Sequence, residues 1–271
     1  MNRLKNPMEI FKLLDKSNCR ACNEPTCLAF AAAVFQGRKQ LKDCPTLPAG
    51  ITETYGVGTD TGPRTEQSMA EVVEQLKQKV TTMDLSEAAK RVGAKFEDGR
   101  LTIRILGKTL SVDAAGNLSS DIHINPWVAI PVLSHIATGA GVPVSGKWVP
   151  LRELPGGKTW YRLFEQRCEK PLKRLADTYT DLFEDIIRIF NGRQVENHYA
   201  SDISLVLSPL PTVPILICYW RPEEGLSSSL NIFFDSTAAA NLNIDAIYGL
   251  ATGLVRMFEK IAKRHSFQHE S

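Results

Sequence analysis

Cys19-Arg-Ala-Cys22-Asn-Glu-Pro-Thr-Cys27, followed after sixteen intervening residues by Cys44-Pro45, is the stretch from which the amino-terminal fold is read. Its spacing is C-x2-C-x4-C and then C-P. Four of the six cysteines fall within the first 45 residues. Thiolates are soft ligands that select iron–sulfur clusters, zinc or Cu(I). Structural zinc sites usually pair their thiols on two short knuckles. Here three thiols are bunched and the fourth is remote, as in ferredoxin-type sites. The pattern predicts that Cys19, Cys22, Cys27 and Cys44 hold one 4Fe-4S cluster; zinc, a disulfide pair and unliganded thiols are the alternatives.

Working outward, Leu28-Ala-Phe-Ala-Ala-Ala-Val-Phe35 propagates a helix with high propensity. Pro25 suits the first helical position, which puts Cys27 in the first turn. There it would meet unpaired backbone N–H groups and the positive end of the helix dipole. Gly37 suits the C-terminal cap. On the other side, residues 7–15 read as a short helix beginning at Asn6-Pro7, with Ile10, Leu13 and Leu14 on one face. Residues 1–45 carry eight lysines and arginines against four acids, whereas the whole chain is only +2. Such a basic collar would offset the charge of a cluster and steer an acidic partner.

These residues carry a family resemblance. The run from Pro7-Met-Glu-Ile-Phe-Lys-Leu-Leu-Asp-Lys-Ser-Asn18-Cys19 to Cys44-Pro45 resembles the four-cysteine iron–sulfur domain of the corrinoid iron–sulfur protein large subunit, part of the CO dehydrogenase/acetyl-CoA synthase system. It is also similar to a segment of the Rnf complex B subunit. The resemblance covers about the first 50 residues and implies a low-potential 4Fe-4S cluster that relays single electrons. It further implies a redox partner protein, with a corrinoid- or metallocofactor-containing protein as the candidate. One departure is Asn23, where those relatives typically have Gly. Asn is the non-Gly residue best suited to a left-handed backbone position.

The chain has 271 residues, too many for a cluster module alone and enough for a small lobe plus one ordinary domain. Residues 1–48 are assigned to the cluster lobe. Gly, Pro and Thr enrich residues 46–65, placing a linker at 49–65. Residues 66–271 form the second domain. No signal peptide is apparent, and no run of about 18 apolar residues predicts a membrane span. Free thiols needed for metal favour a reducing cytoplasm. The near-neutral net charge argues against broad nucleic-acid binding.

In the second domain, Met69, Val72, Val73, Leu76 and Val80 recur at helical spacing over 66–81, and Ser86 suits the cap of a helix over 85–93. Leu101-Thr-Ile103-Arg-Ile105 and Leu110-Ser-Val112 alternate about a Gly107-Lys108 turn, a hairpin. Residues 126–139 predict a buried helix broken at Pro131, and 141–157 a loop. A helical stretch from Trp160 is divided by Pro171, its second part running from Leu172 to Phe190 and ending at Asn191-Gly192. Ile203–Leu207, Val213–Tyr219 and Leu230–Phe234 predict three antiparallel strands. A helix over 244–264 closes the chain, with Gly249 and Gly253 expected to lie close to a sheet. The expected fold class is therefore α+β: a small helical 4Fe-4S lobe followed by a mixed domain of helices packed on short antiparallel sheets. Asp202, Pro209-Leu-Pro211, Pro214, Tyr219-Trp220, Phe233-Phe-Asp235 and the terminal helix resemble an uncharacterised domain family found behind this cluster motif in anaerobes.

No nucleophile elbow, phosphate loop, dinucleotide fingerprint or zinc-hydrolase helix is present. His123 and His198 are the candidates for an axial ligand, with His265 and His269 in the tail. Asp202 and Asp235, at strand ends, could do acid–base work or simply cap turns. Trp127, Trp148, Trp160 and Trp220 read as core or as stacking walls. Cys168 and Cys218 read as inert buried thiols. No catalytic set can be named. The expected function is a one-electron carrier or accessory redox protein, the alternative being a ligand-binding or redox-sensing module in which the cluster is structural.

Overall fold

The computed structural model describes residues 7–35, 39–48, 51, 66–179, 181–196 and 198–266, without the side chains of 66–68 and 263–266. The chain divides into two compact units, residues 1–69 and 70–271. The expectations for Gly37, for the linker at 49–65 apart from residue 51, and for His269 lie outside the described residues, as does the side chain of His265.

In the first unit, helix α1 spans Pro7–Leu13, helix α2 spans Cys27–Phe35, and a single 3-10 turn covers Leu41–Asp43. Their core is small: Ile10, Leu14, Phe30, Ala31, Val34 and Leu41, joined by Cys27 and Cys44. A lobe of about forty residues with so few core side chains is in the size range where a metal or a disulfide normally supplements packing. Helix α2 begins two residues later than Pro25 suggests. Thr26 precedes it, and its Oγ1 accepts from Ala29 N at 3.0 Å, a hydroxyl cap that proline cannot supply.

The second unit is α+β. Helix α3, Glu66–Thr81, leads to α4, Leu85–Val92. Asp84 rather than Ser86 caps α4: its carboxylate accepts from Ser86 N and Glu87 N. Strands β1 (Lys95–Glu97), β2 (Arg100–Ile105), β3 (Lys108–Val112) and β4 (Leu118–Ser120) form an antiparallel meander in sequence order. Leu101, Ile103, Ile105, Leu110 and Val112 all face the core. The hairpin turn is Leu106-Gly107, one residue earlier than expected, because Ile105 pairs with Lys108. Both turn residues have positive φ, 48° and 76°, the pattern that matches strand twist. A Cβ on Gly107 would stand 2.6 Å from Asn191 Cβ, so the position also needs its missing side chain.

Helix α5, Pro126–Thr138, runs through Pro131 without a break. One proline removes a single i−4 bond, and burial along residues 129–137 outweighs it. The expected loop at 141–157 contains a strand, β5 (Trp148–Pro150), whose partner is distant in sequence. Helices α6 (Gly157–Phe164) and α7 (Lys170–Thr178) are joined by a π-helical turn at Glu165–Glu169, so the irregularity precedes Pro171. The long stripe from Leu172 to Phe190 is two helices, not one. Helix α8, Leu182–Phe190, starts afresh and ends at Asn191 with φ 53°.

A second sheet has the order β5-β9-β8-β7-β6, all antiparallel, with β6 at Arg193–Gln194, β7 at Ile203–Leu210, β8 at Val213–Trp220 and β9 at Ser229–Asp235. The three long strands are those expected. Strand β7 continues through Ser208-Pro209-Leu210 by a register shift. The short helix α9, Ala238–Asn241, precedes α10, Ile244–Ser266. Gly253 admits helix α5, not a sheet: a Cβ there would lie 2.9 Å from Trp127 Cβ, whereas Gly249 has nothing within 4 Å. One face of the five-stranded sheet belongs to the main core with Leu205, Leu207, Ile215, Ile217, Ile232 and Phe234. The other carries a separate cluster of Val206, Leu216, Cys218 and Phe233.

Candidate metal centre

The loop between α1 and α2 holds Cys19 and Cys22, and Cys27 is the first residue of α2. The loop backbone is unusual: Lys16, Asn18, Arg20 and Asn23 all have positive φ, between 51° and 62°. Left-handed conformations cost most non-glycine residues about 1–2 kcal/mol each, Asn being the better tolerated, and occur singly in most loops. Clustered strain of this kind collects at sites where function constrains the chain. Asn23 takes up the left-handed conformation expected from its place after Cys22, at φ 59°. Its N–H closes a turn on Arg20 O at 2.9 Å.

The four thiols differ in exposure. Cys27 and Cys44 are 6% and 7% exposed and belong to one apolar cluster, with Cys22 packed against it. Cys19 lies at the surface in a run of exposed residues from Asp15 to Ala21. The structure thus brings three of the predicted ligands to one small core and leaves the fourth on its outer side. Among the described residues, no three His, Cys, Asp or Glu side chains converge closely enough to hold a single metal ion. Four thiols with no nitrogen ligand are a donor set that iron–sulfur clusters and structural zinc both use.

Asn18 is the residue that sequence reasoning missed. Its Oδ1 accepts from Cys27 N at 2.7 Å, and its own N–H donates to Cys27 Sγ at 3.3 Å. It therefore caps α2 from nine residues away and supplies a hydrogen bond to the sulfur. Such bonds orient ligands and tune a cluster. With Thr26 bonded to Ala29 N, the amides of Cys27 and Ala29 at the helix start are engaged, not free as expected. The signal was an asparagine directly before the first cysteine, but only the return of the chain shows what it caps.

Asp15 stands close by, with Oδ1 3.8 Å from Cys27 Sγ. Hydrogen bonds from the Ser17 backbone and hydroxyl, aided by Thr46 and Cys27, hold its carboxyl below the usual range. Thr46 Oγ1 lies 3.3 Å from Cys44 Sγ. Lys16 places its ammonium 5.7 Å from the Phe11 ring centroid, keeping a cation at the loop.

The remaining candidates do not assemble. Asp202 accepts from Arg221 N at 2.7 Å. Asp235 accepts from Ser145, Gly146 and Thr237. Burial alone would raise the Asp235 carboxyl, but these bonds outweigh it and hold it low. Strand register puts the two acids at opposite ends of the sheet, where each ties a turn. His123 is exposed and His198 half-buried. Trp160 is buried against Tyr248, with ring centroids 4.8 Å apart. Trp127 lies under Arg256. Cys168 and Cys218 are fully buried free thiols, and burial pushes the Cys168 thiol up to about 12.

Comparisons with known proteins match two separate segments of the chain. Residues 14–46 match a family model described as "Putative Fe-S cluster", which makes the amino-terminal segment one of iron–sulfur type. Residues 84–257, more than half of the chain, match the model "Domain of unknown function (DUF3786)", and the chain belongs to that family. Particular relatives match over only 40 to 46 residues. The corrinoid/iron-sulfur protein large subunit of Moorella thermoacetica is 50% identical over 46 residues, 17% of this chain and 10% of that protein. The acetyl-CoA decarbonylase/synthase complex subunit gamma 1 of Methanosarcina thermophila is 40% identical over 45 residues, again 17% and 10%. The corresponding gamma subunit of Methanothermobacter thermautotrophicus is 45% identical over 40 residues, 15% and 9%. The chain thus spans about a tenth of the length of these relatives. No solved structure matches it significantly. No helix among the described residues is long and apolar enough to cross a membrane.

Proposed function

We propose that Cys19, Cys22, Cys27 and Cys44 bind a 4Fe-4S cluster and that the protein is a one-electron carrier serving a protein partner. The observation that carries this reading is the joint burial of Cys27 and Cys44 in one apolar cluster with Cys22 against it. Buried thiols without a metal gain only ordinary packing, whereas in a small lobe a bound cluster supplies the folding energy that the core lacks. The bound group would supply a reversible one-electron couple. The chain's own residues hold it, shield it on the Cys27 and Cys44 side, and leave the Cys19 side at the surface, where a partner can approach.

Residues 1–48 are the cluster lobe in this reading, 49–65 the linker and 66–271 the domain that docks a partner or cofactor. The relatives are named as subunits of multi-subunit complexes, which supports a protein partner; a corrinoid- or metallocofactor-containing protein is the first to try. Thiols kept free for metal favour a reducing cytoplasm. Anaerobic purification or reconstitution, followed by iron, sulfide and EPR analysis, tests the reading. The expected result is four irons and four sulfides per chain, lost when any one of the four cysteines becomes serine, with a reversible one-electron couple. A colourless protein holding one zinc would overturn it.

A further inference from the structure

The outer face of the five-stranded sheet is crossed by a short segment in an unusual conformation. Tyr199 and Ala200 are consecutive, neither is glycine, and both have φ 55°. L-residues adopt this region reluctantly and rarely in succession. Tyr199 is also 53% exposed, yet its ring lies flat on Phe233, with centroids 4.4 Å apart and planes 14° apart. Its hydroxyl donates to Trp148 O on the edge strand at 2.9 Å. Around it, His198 N donates to Ser204 Oγ at 2.8 Å and Ser201 Oγ lies 2.8 Å from Ser204 Oγ.

Beneath this segment is a thiol. Cys218 is wholly buried, with its Sγ 3.8 Å from both His198 O and Ser204 Oγ. The neighbours on this face, Val206, Leu216 and Phe233, are apolar, and burial raises the thiol's pKa. The cover over Cys218 is therefore a strained piece of backbone tied down by one stacked ring and a few hydrogen bonds. Cys168, by contrast, lies inside the main core.

We propose that His198–Ser201 is a latch over the outer face of the five-stranded sheet, held shut through Tyr199, and that its opening uncovers the Cys218 thiol. The backbone strain favours release, and the stack on Phe233 with the bond to Trp148 opposes it. Local openings of this kind occur far more often than global unfolding wherever few contacts hold a segment. The latch is independent of any metal at the amino terminus.

Pulsed alkylation of the full-length protein with N-ethylmaleimide, read cysteine by cysteine after digestion and mass spectrometry, tests this. Cys168 serves as the internal clock for global unfolding. Cys218 is expected to react about tenfold or more faster than Cys168 in the native protein. Tyr199→Ala should raise the Cys218 rate by roughly another tenfold and leave Cys168 unchanged. Tyr199→Phe keeps the ring but loses the bond to Trp148, and should raise the rate by a smaller factor. Ala200→Gly relieves strain and should slow it. Equal rates at Cys218 and Cys168 that rise together in Tyr199→Ala would overturn the latch. So would a Cys218 rate indifferent to the Phe and Gly substitutions, which preserve the fold even if the Ala variant does not.

Discussion

Asn18 offers the sharpest test of how the cysteine loop is built. Its side chain does one thing and its backbone another, and two substitutions separate them. Asn18→Gly keeps the left-handed backbone, φ 51° in the native chain, but removes the oxygen that accepts from Cys27 N at 2.7 Å. Losing a capping acceptor costs about 1 kcal/mol. Asn18→Ala loses the same acceptor and adds the left-handed penalty of about 1–2 kcal/mol. The expected totals are about 1 kcal/mol for Gly and about 2–3 kcal/mol for Ala. Hydrogen exchange of peptides covering Cys27–Phe35, followed by mass spectrometry on the full chain, reads these energies directly. Exchange in α2 should speed up about fivefold in Asn18→Gly and roughly 30- to 150-fold in Asn18→Ala, while β7 and β8 in the second unit stay at native rates. The same order should appear in the rate at which reconstituted protein releases iron. Wild-type exchange in Asn18→Ala, or a Gly variant more labile than the Ala variant, would refute the account of the loop.

Three further predictions concern the second domain. Glu169 is 4% exposed and accepts from Ile232 N at 3.0 Å; burial raises its carboxyl, and the bonds from Ile232 and Asn231 offset this only in part. The folded state therefore keeps its proton to higher pH than the unfolded chain, so this group's contribution falls as pH rises above about 4.3. Glu169→Gln retains the acceptor without the charge, and its urea midpoint should match wild type near pH 4 and exceed it at pH 7, whereas a parallel pair of curves would contradict this. Tyr219 donates to Asp177 at 2.8 Å; burial and that carboxylate push the phenol up to about 12. Burial opposes ionisation of Asp177, but bonds from Lys173, Ser228 and Tyr219 outweigh it and hold its carboxyl low. Tyr219→Phe should cost about 1 kcal/mol at pH 7, and less as the pH falls and Asp177 takes up its proton. Gly107→Ala combines positive φ with a Cβ contact at 2.6 Å to Asn191. It should lower the Tm by several degrees for each ~1 kcal/mol lost, and Asn191→Gly should restore the part due to the clash but not the part due to φ.

Much of the architecture was legible because it rests on short-range periodicity. Alternation at Leu101, Ile103 and Ile105 marked a strand with one buried face, and all three are buried. The long central strands of the second sheet were equally plain as apolar runs. Boundaries failed where a neighbour in space took over a cap or a turn. Asp84 replaced Ser86 because its carboxylate reaches two amides. The loop expected at 141–157 holds a strand because Trp148 pairs with Asp235, 87 residues later. Proline was overrated as a breaker: Pro131 sits inside a helix whose apolar burial exceeds the loss of one bond.

The sequence alone placed four thiols at fixed spacing near the amino terminus, a donor set whose affinity for iron or zinc needs no fold to announce it. It also determined the α+β class, because hydrophobic period depends only on neighbours along the chain. Tertiary structure alone decided which thiols are buried, that Asn18 returns to cap the Cys27 helix, that Asp202 and Asp235 never meet, and that Tyr199 stacks on Phe233 and bonds Trp148. Those outcomes depend on contacts between residues far apart in the chain, whose free energy comes from burial and pairing in three dimensions and leaves no local pattern to read.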